Sequence, residues 1–112
     1  MQDPSLIVTI VRKGWGNTVL EASVKAGATG GTIWLGRGVG VNETGSILGI
    51  PIEPEKEIVL TLVQRNRIDV ILQEIIRAAE LEEPGHGLAF VMPIEKIVGV
   101  PHITARGDSR QA

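Results

Sequence analysis

Two short glycine-rich segments are the parts of this sequence best suited to contact a small ligand. Residues 28–32 have the sequence Ala-Thr-Gly-Gly-Thr, and residues 84–87 have the sequence Pro-Gly-His-Gly. Glycine lets backbone amides approach an anion or a flat base closely, and consecutive amides can form an anion-binding nest. Thr29 and Thr32 can donate to a phosphate or a base. The alternative is that both segments are ordinary turns, with the threonines satisfied by the backbone.

The sequence contains no arrangement of residues that is typical of an active site or a metal site. No nucleophile has a paired base, and His86 and His102 are the only histidines in a chain without cysteine. We therefore predict no enzymatic activity, no metal and no required cofactor. A net charge of -2 gives no basic surface for nucleic acid. With no apolar run near about 20 residues and no cationic start, we expect a cytoplasmic protein.

A long segment, residues 36–57, separates two well-patterned apolar regions. It is rich in glycine and proline and has no sustained helical or strand period, which predicts a loop. Loops of this length in compact domains usually bind something or are disordered, and this one carries apolar residues unsuited to a solvated linker. We expect a flexible loop that orders on a protein partner. The candidate partner contacts are Glu43, Thr44, Ile47, Leu48 and Ile50. The alternative is that its isoleucines fold back onto the protein.

Apolar patterns predict four strands and two helices in the rest of the chain. The first helix is predicted from Asn17 to Gly27, with Val19, Leu20, Val24 and Ala26 on its apolar face. The second begins at Asn66. Its apolar face is predicted to consist of Ile68, Ile71, Leu72, Ile75, Ile76 and Ala79. The predicted strands are residues 6–11, a strand opening at 33–35, residues 58–63 and residues 88–92, with a possible further element at 94–100 and a frayed tail at 101–112.

This order predicts one α+β domain, residues 1–112, with the ferredoxin-like arrangement βαββαβ. The sheet is four-stranded and antiparallel, and both helices cover one face. Strands 6–11 and 58–63 are apolar on both faces, whereas a sheet with one wet face should alternate. At about 25 cal/mol per Å², leaving that second face in water would forfeit several kcal/mol. We therefore expect the second face to be buried against other copies of the chain.

Several motifs of this sequence match those of a known protein family in their order and spacing. They are Ala-Gly-Ala-Thr-Gly-Gly-Thr at 26–32, the long loop after Gly38 and Gly40, Ile-Ile-Arg-Ala-Ala at 75–79 and Pro-Gly-His-Gly-Leu-Ala-Phe-Val at 84–91. The chain resembles the PII signalling protein family. This resemblance implies a homotrimer with its sheets facing inward and adenine nucleotides bound between subunits. It also implies a loop that reports the bound state to a partner, such as a membrane transporter or a metabolic enzyme.

The resemblance assigns candidate residues to the effector site. Residues 84–87, the turn at 28–32 and the base of the long loop would grip the nucleotide. The candidates are Thr29, Gly30, Gly31, Thr32, Arg37, Gly38, Gly85, His86 and Gly87.

The chain also departs from the family pattern in its charged residues. His86 and Leu88 replace an acidic residue and a lysine, Gly99 and Pro101 replace two arginines, and Leu60 replaces a glutamate. Losing charge-assisted donors favours ADP, AMP or another small anion over ATP. Arg37, Lys96, Arg106 and Arg110 are possible substitutes. Val41 and Asn42 replace an Arg-Gln pair, which disfavours 2-oxoglutarate sensing, and the absence of tyrosine excludes uridylylation of a loop tyrosine.

Two other functions remain open from the sequence. A trimeric ferredoxin-like protein of the divalent-cation tolerance type would need a shorter connection than residues 36–57. A small enzyme similar to acylphosphatases would need a phosphate-binding arginine loop after the first strand, which residues 12–16 match only faintly.

Overall fold

The computed structural model describes residues 3–39, 46–47, 50–51 and 54–100. In chain order the elements are β1 (Pro4–Arg12), α1 (Gly16–Lys25), β2 (Gly30–Arg37), β3 (Ser46–Ile47), β4 (Ile50–Pro51), β5 (Glu55–Gln64), a 3-10 helix (Arg65–Arg67), α2 (Ile68–Ala79) and β6 (Gly87–Pro93). No helix in this described part is long and apolar enough to cross a bilayer.

Four long strands form one antiparallel sheet in the order β2-β5-β1-β6. β1 lies in the centre, pairing Val8 with Leu60 of β5 on one side and with Phe90 of β6 on the other. The two-residue strands β3 and β4 form a separate hairpin. The predicted βαββαβ fold is confirmed, because the long strands and the two helices alternate in the expected order.

The core lies between the sheet and the two helices. Alternate residues of β1 and β5 face this side because successive side chains of a strand point to opposite faces. The buried cluster consists of Ile7, Val11, Val19, Val59, Val63, Ile71, Ile75 and Ala79. The predicted apolar face of the second helix is confirmed for Ile71, Ile75 and Ala79, which are buried, and for Ile68 and Leu72, which pack against the cluster. Ile76, the sixth predicted member, instead lines a groove on the outer side of α2.

The opposite side of the sheet, here called the open face, is also apolar. Residues directly opposite each other on paired strands lie on the same face of the sheet, so the strand register shows which residues belong to the open face. It consists of Leu6, Val8 and Ile10 of β1, Ile58, Leu60 and Leu62 of β5, Leu88, Phe90 and Met92 of β6, and Trp34 of β2. Trp34, Leu88, Phe90 and Met92 are 43% to 52% exposed. Both central strands therefore carry apolar side chains on both faces, as their sequences predicted.

The predicted N-terminal ends of both helices are wrong, whereas Gly27 follows the last turn of α1 with a φ of 109°, as expected of a C-terminal glycine. α1 begins at Gly16. Trp15 is at the N-cap position, and its side chain forms no capping hydrogen bond. Asn17 lies inside the helix. Instead, Oε1 of Glu57 on β5 accepts a hydrogen bond of 2.6 Å from the backbone N–H of Gly16. Asn66 does not cap α2 either, because it lies within the 3-10 helix that precedes α2.

The ends of the long loop, the buried face of α1 and the segment after β6 also differ from the sequence-based expectations. Residues 36–37 belong to β2 and residues 55–57 to β5, so the long loop is shorter than predicted and contains the β3–β4 hairpin. Val24, predicted on the apolar face of α1, is 53% exposed, whereas Ser23 is buried. Residues 94–100 contain no helix or strand, and the tail at 101–112 lies outside the described residues.

Replacing Glu57 by alanine should destabilise the protein, because it removes the acceptor and the negative charge at the start of α1. We expect a loss of about 1 to 2 kcal/mol in the free energy of unfolding, measured by urea denaturation at fixed protein concentration. Glu57→Gln retains an acceptor oxygen and should lose less. Equal denaturation midpoints for Glu57→Ala and the wild type would contradict this role.

Candidate functional site

The glycine turn, residues 84–87, connects the end of α2 to β6. α2 ends where Glu80 adopts a left-handed conformation with φ of 54°, and the N–H of Leu81 donates to the carbonyl of Ile76 at 3.0 Å. Gly85 and Gly87 have φ angles of 80° and 141°. A Cβ atom on Gly87 would collide with the carbonyl oxygen of Ile10. The turn therefore needs glycine both for its backbone angles and for its close approach to β1.

His86, between these glycines, packs into the fold. Its ring centroid lies 5.5 Å from that of Trp15, and its Nδ1 atom lies 3.4 Å from the carbonyl oxygen of Ala79. Its side chain is only 23% exposed, and a carboxylate oxygen of Glu80 lies 3.7 Å from Nδ1. The imidazole thus holds the glycine turn against the end of α2 and the loop before α1. Within the turn, Pro84 and Gly87 are exposed, whereas Gly85 and His86 are half-buried.

The second candidate segment, residues 29–32, opens β2. The N–H of Thr29 donates to the carbonyl of Leu62 at 2.9 Å, so this backbone donor is already used. Gly31 packs closely on Leu20, whereas nothing lies near the position that a Cβ on Gly30 would occupy. Thr32 is exposed and shares the open-face row of Leu60. Gly31 and Thr32 are the exposed members of this segment, and Thr29 and Gly30 are half-buried.

The candidate residues lie at different corners of the sheet. β2 and β6 are its two edges, separated by three strand spacings, or about 14 Å. Gly30 and Arg37 mark opposite ends of β2, about 23 Å apart at about 3.3 Å per residue. Residues 84–87 share the Arg37 end, because Val11 pairs with both Gly87 and Glu57, and Glu57 pairs with Leu35. One chain therefore does not bring the three segments around one small ligand.

Comparison with known proteins identifies the family. A profile of the nitrogen regulatory protein P-II family matches residues 5–102. The chain belongs to the P-II family. Its fold is similar to that of Arabidopsis thaliana PII bound to citrate, with a TM-score of 0.68 and 24% sequence identity over 88% of this chain and 83% of that one. No curated protein matches the chain. P-II proteins are generally non-enzymatic signalling proteins that form trimers and bind effectors and protein partners.

In this P-II member, contacts within the fold close the base of the long loop. The N–H of Gly38 donates to the carbonyl of Pro54 at 3.2 Å, which joins the two limbs. Lys13 forms an ion pair with Glu55 at 3.0 Å. Arg37 is exposed at the end of β2. Of the candidate partner contacts, Ile47 pairs with Ile50 through the backbone, and Glu43, Thr44 and Leu48 lie outside the described residues.

Arg12 is a cation beside the glycine turn that the sequence pattern did not predict. The Nη2 atom of Arg12 lies 2.8 Å from the position that a Cβ on Gly85 would occupy, so the guanidinium rests against this glycine. Arg12 is the last residue of β1, and only the strand register reveals that this end of β1 adjoins the turn. Lys96, a predicted substitute, is exposed beyond β6, and Arg106 and Arg110 lie outside the described residues.

A groove of about 670 Å³ on the outer side of α2 also reaches the glycine turn. Its lining includes four carboxylates and two cationic or titratable side chains: Glu74, Glu80, Glu82, Glu83, Arg77 and His86. Arg77 is already paired with Glu74 at 2.7 Å. An anionic effector would be repelled there, which favours the Arg12 side of the turn. In the described part of the chain, no group of three or more histidine or carboxylate side chains could hold a metal ion.

Gly87→Ala should destabilise the protein by about 1 to 3 kcal/mol, because alanine is strained at this φ and its methyl group meets the Ile10 carbonyl. Gly30→Ala is the matched control. It has open space at Cβ and should change stability by less than about 0.5 kcal/mol. Thermal unfolding of the two variants checks this, and equal melting temperatures would contradict the geometry given for the turn.

Proposed function

We propose that this chain forms a homotrimeric P-II regulatory protein whose sheets face one another through the open face. The support is the apolar composition of that face, which includes four large side chains more than two-fifths exposed in a single chain. Fully burying one such side chain contributes about 1.5 to 3 kcal/mol. A closed ring of identical subunits lets every copy bury the same surface, so no apolar face remains in water.

The proposed ligand is a small anionic effector, most simply an adenine nucleotide, bound between subunits. The observation that carries this proposal is the separation of the candidate segments within one chain. Residues 29–32 and residues 84–87 lie on opposite edges and at opposite ends of the sheet. A neighbouring copy can supply the segment that each chain lacks at a given corner. Assembly and effector binding would then depend on the same subunit contact.

The charged residues favour a nucleotide with few phosphates. Leu88, Gly99 and Pro101 stand where the family pattern has cations, so ADP or AMP is expected to bind in preference to ATP. The Arabidopsis PII structure contains citrate, which makes a polycarboxylate the natural second probe.

The proposed output is through the long loop. Effector binding near Arg37 and Gly38 would act on the two limbs joined at Gly38 and Pro54. The loop would then contact a protein partner, such as a membrane transporter or a metabolic enzyme, through Glu43, Thr44, Ile47, Leu48 and Ile50. In this role the protein is a regulator rather than an enzyme and does not bind nucleic acid.

Phe90→Glu should dissociate the trimer, because it places a charge among the apolar side chains of the open face, midway along β6. Val70→Glu is the control, since Val70 is similarly exposed, 47% against 43%, but lies on α2 in the helix layer. Light scattering after size exclusion should give three chain masses for the wild type and for Val70→Glu, and a smaller species for Phe90→Glu. A stable dilute wild-type monomer would overturn the trimer.

Calorimetric titration with ADP, AMP, ATP and citrate tests the effector. We expect binding of ADP, AMP or citrate with one site per chain, and weaker binding of ATP because cations for the distal phosphates are absent. The Phe90→Glu variant should lose this binding together with the assembly. Tight ATP binding that requires magnesium and 2-oxoglutarate would contradict the assigned ligand class.

A further inference from the structure

We propose that His86 is a pH-sensitive switch in the glycine turn: a proton on its imidazole changes the charge of the turn from neutral to positive, and the affinity of the turn for an anion rises with it. Histidine is the side chain that ordinarily changes charge between about pH 5 and 8. The carrying observation is that His86 packs between the end of α2 and the loop before α1, with carboxylates on the α2 side. The effect on an effector rests on the proposed function, whereas the change of charge does not.

Two oxygen atoms face Nδ1 of His86. The carbonyl oxygen of Ala79 lies at 3.4 Å and Oε1 of Glu80 at 3.7 Å. Carbonyl and carboxylate oxygens accept hydrogen bonds, so this arrangement favours a ring that carries a proton on Nδ1. In a neutral ring that proton leaves Nε2 without one. A second proton, taken from the solvent that reaches this 23% exposed side chain, therefore binds at Nε2 and makes the ring positive.

Carboxylates predominate on the α2 side of the ring. His86 lines the groove on the outer side of α2, as does Glu80. Arg77, the other cationic side chain of this lining, is paired with Glu74 at 2.7 Å. The remaining carboxylates of the lining are Glu82 and Glu83. A protonated ring therefore faces negative charge that Arg77 does not neutralise, and it lowers the negative potential of the groove at the turn.

The loop before α1 and the end of β1 contribute the other neighbours of the turn. The centroid of the Trp15 ring lies 5.5 Å from that of His86. The charged residues here, within the described part of the chain, are Arg12, whose guanidinium lies against Gly85, Lys13, which is paired with Glu55 at 3.0 Å, and Glu57, which accepts the N–H of Gly16. Arg12 is thus the cation that opposes a charge on the ring, and the carboxylates on the α2 side offset its effect.

The proton changes the charge of the turn by one unit. The family pattern has an acidic residue at this position, and a carboxylate ordinarily stays negative over the same pH range. An anion near the turn is repelled by the carboxylates of the groove, and a positive imidazole offsets part of that repulsion. We therefore expect an anionic effector to bind more tightly at about pH 5.5 than at about pH 8, apart from changes in the charge of the ligand itself.

Tryptophan fluorescence tests the switch without any ligand. A protonated imidazole in contact with an indole quenches its emission, so Trp15 reports the charge on His86. We expect the wild type to lose emission sigmoidally as the pH falls, with a midpoint between about pH 5 and 8. His86→Gln should lack this transition. His102→Gln, which removes the only other histidine of the chain, should retain it.

Calorimetric titration with ADP, AMP, citrate and adenosine at about pH 5.5 and about pH 8 tests the effect on an effector. Phosphates and carboxylates also change charge in this range, so the measured quantity is the affinity of the wild type divided by that of His86→Gln for the same ligand at the same pH. We expect this ratio to rise about 3- to 10-fold from the higher to the lower pH for the anions, as one added charge within about 10 Å gives at a partly exposed site. Adenosine, which is uncharged, should show no such rise. The ratio calculated with His102→Gln should stay constant, because His86 is intact in that variant.

The outcomes separate this inference from the proposed function. A fluorescence transition that persists in His86→Gln, or that is absent from the wild type, overturns the switch. An affinity ratio that does not change with pH overturns it as well, even when the fluorescence transition is present. A wild type that binds none of the ligands overturns the proposed effector site and the effect on affinity, whereas fluorescence still decides whether the turn changes charge. If His86→Gln does not fold, NMR follows His86 as the single imidazole of His102→Gln, and a Trp15 indole resonance that does not titrate with it overturns the switch.

Discussion

The constraint on which the structure depends is that the two central strands, β1 and β5, are apolar on both faces. α1 and α2 cover one face and bury Ile7, Val11, Val59 and Val63. The other face presents an apolar surface that no further layer covers among the residues described. The free energy of folding and that of association are therefore linked in the proposed trimer. The candidate effector segments lie at separate corners of the same sheet. The proposed site between subunits would therefore also depend on burial of the open face in the trimer.

One short segment, residues 13–16, supports two of the candidate functional regions. Lys13 and Gly16 contact Glu55 and Glu57, which begin β5 at the return limb of the long loop. Trp15, between them, contacts the ring of His86 in the glycine turn. The backbone of residues 13–16 thus joins the contact with the glycine turn to the contacts with the base of the loop. In physical terms, a displacement of the glycine turn would act on the same residues that hold the start of β5 in place.

The sequence predicted what depends on local periodicity and missed what depends on distant contacts. The strands, the α2 face from Ile68 to Ala79 and the second apolar face all follow from spacing, which a single segment encodes. The predicted start of α1 at Asn17 is wrong because the acceptor for the N–H of Gly16 is Glu57, 41 positions away. Arg12 was missed for the same reason, since its contact with Gly85 depends on the pairing of β1 with β6. His86 matched the family motif by position, but its packing on Trp15 has no local signal.

The backbone conformation at Gly99 is consistent with the absence of an arginine at this position. Gly99, which stands where the family pattern has an arginine, has a φ of 92°, in the region that favours glycine. Restoring arginine there would introduce strain of about 1 to 3 kcal/mol, even though nothing lies near the position of its Cβ. The segment after β6 therefore follows a path that suits glycine rather than a phosphate-binding cation. In the proposed effector site, positive charge would therefore come from another element. The guanidinium of Arg12, at the end of β1, lies against Gly85 of the glycine turn.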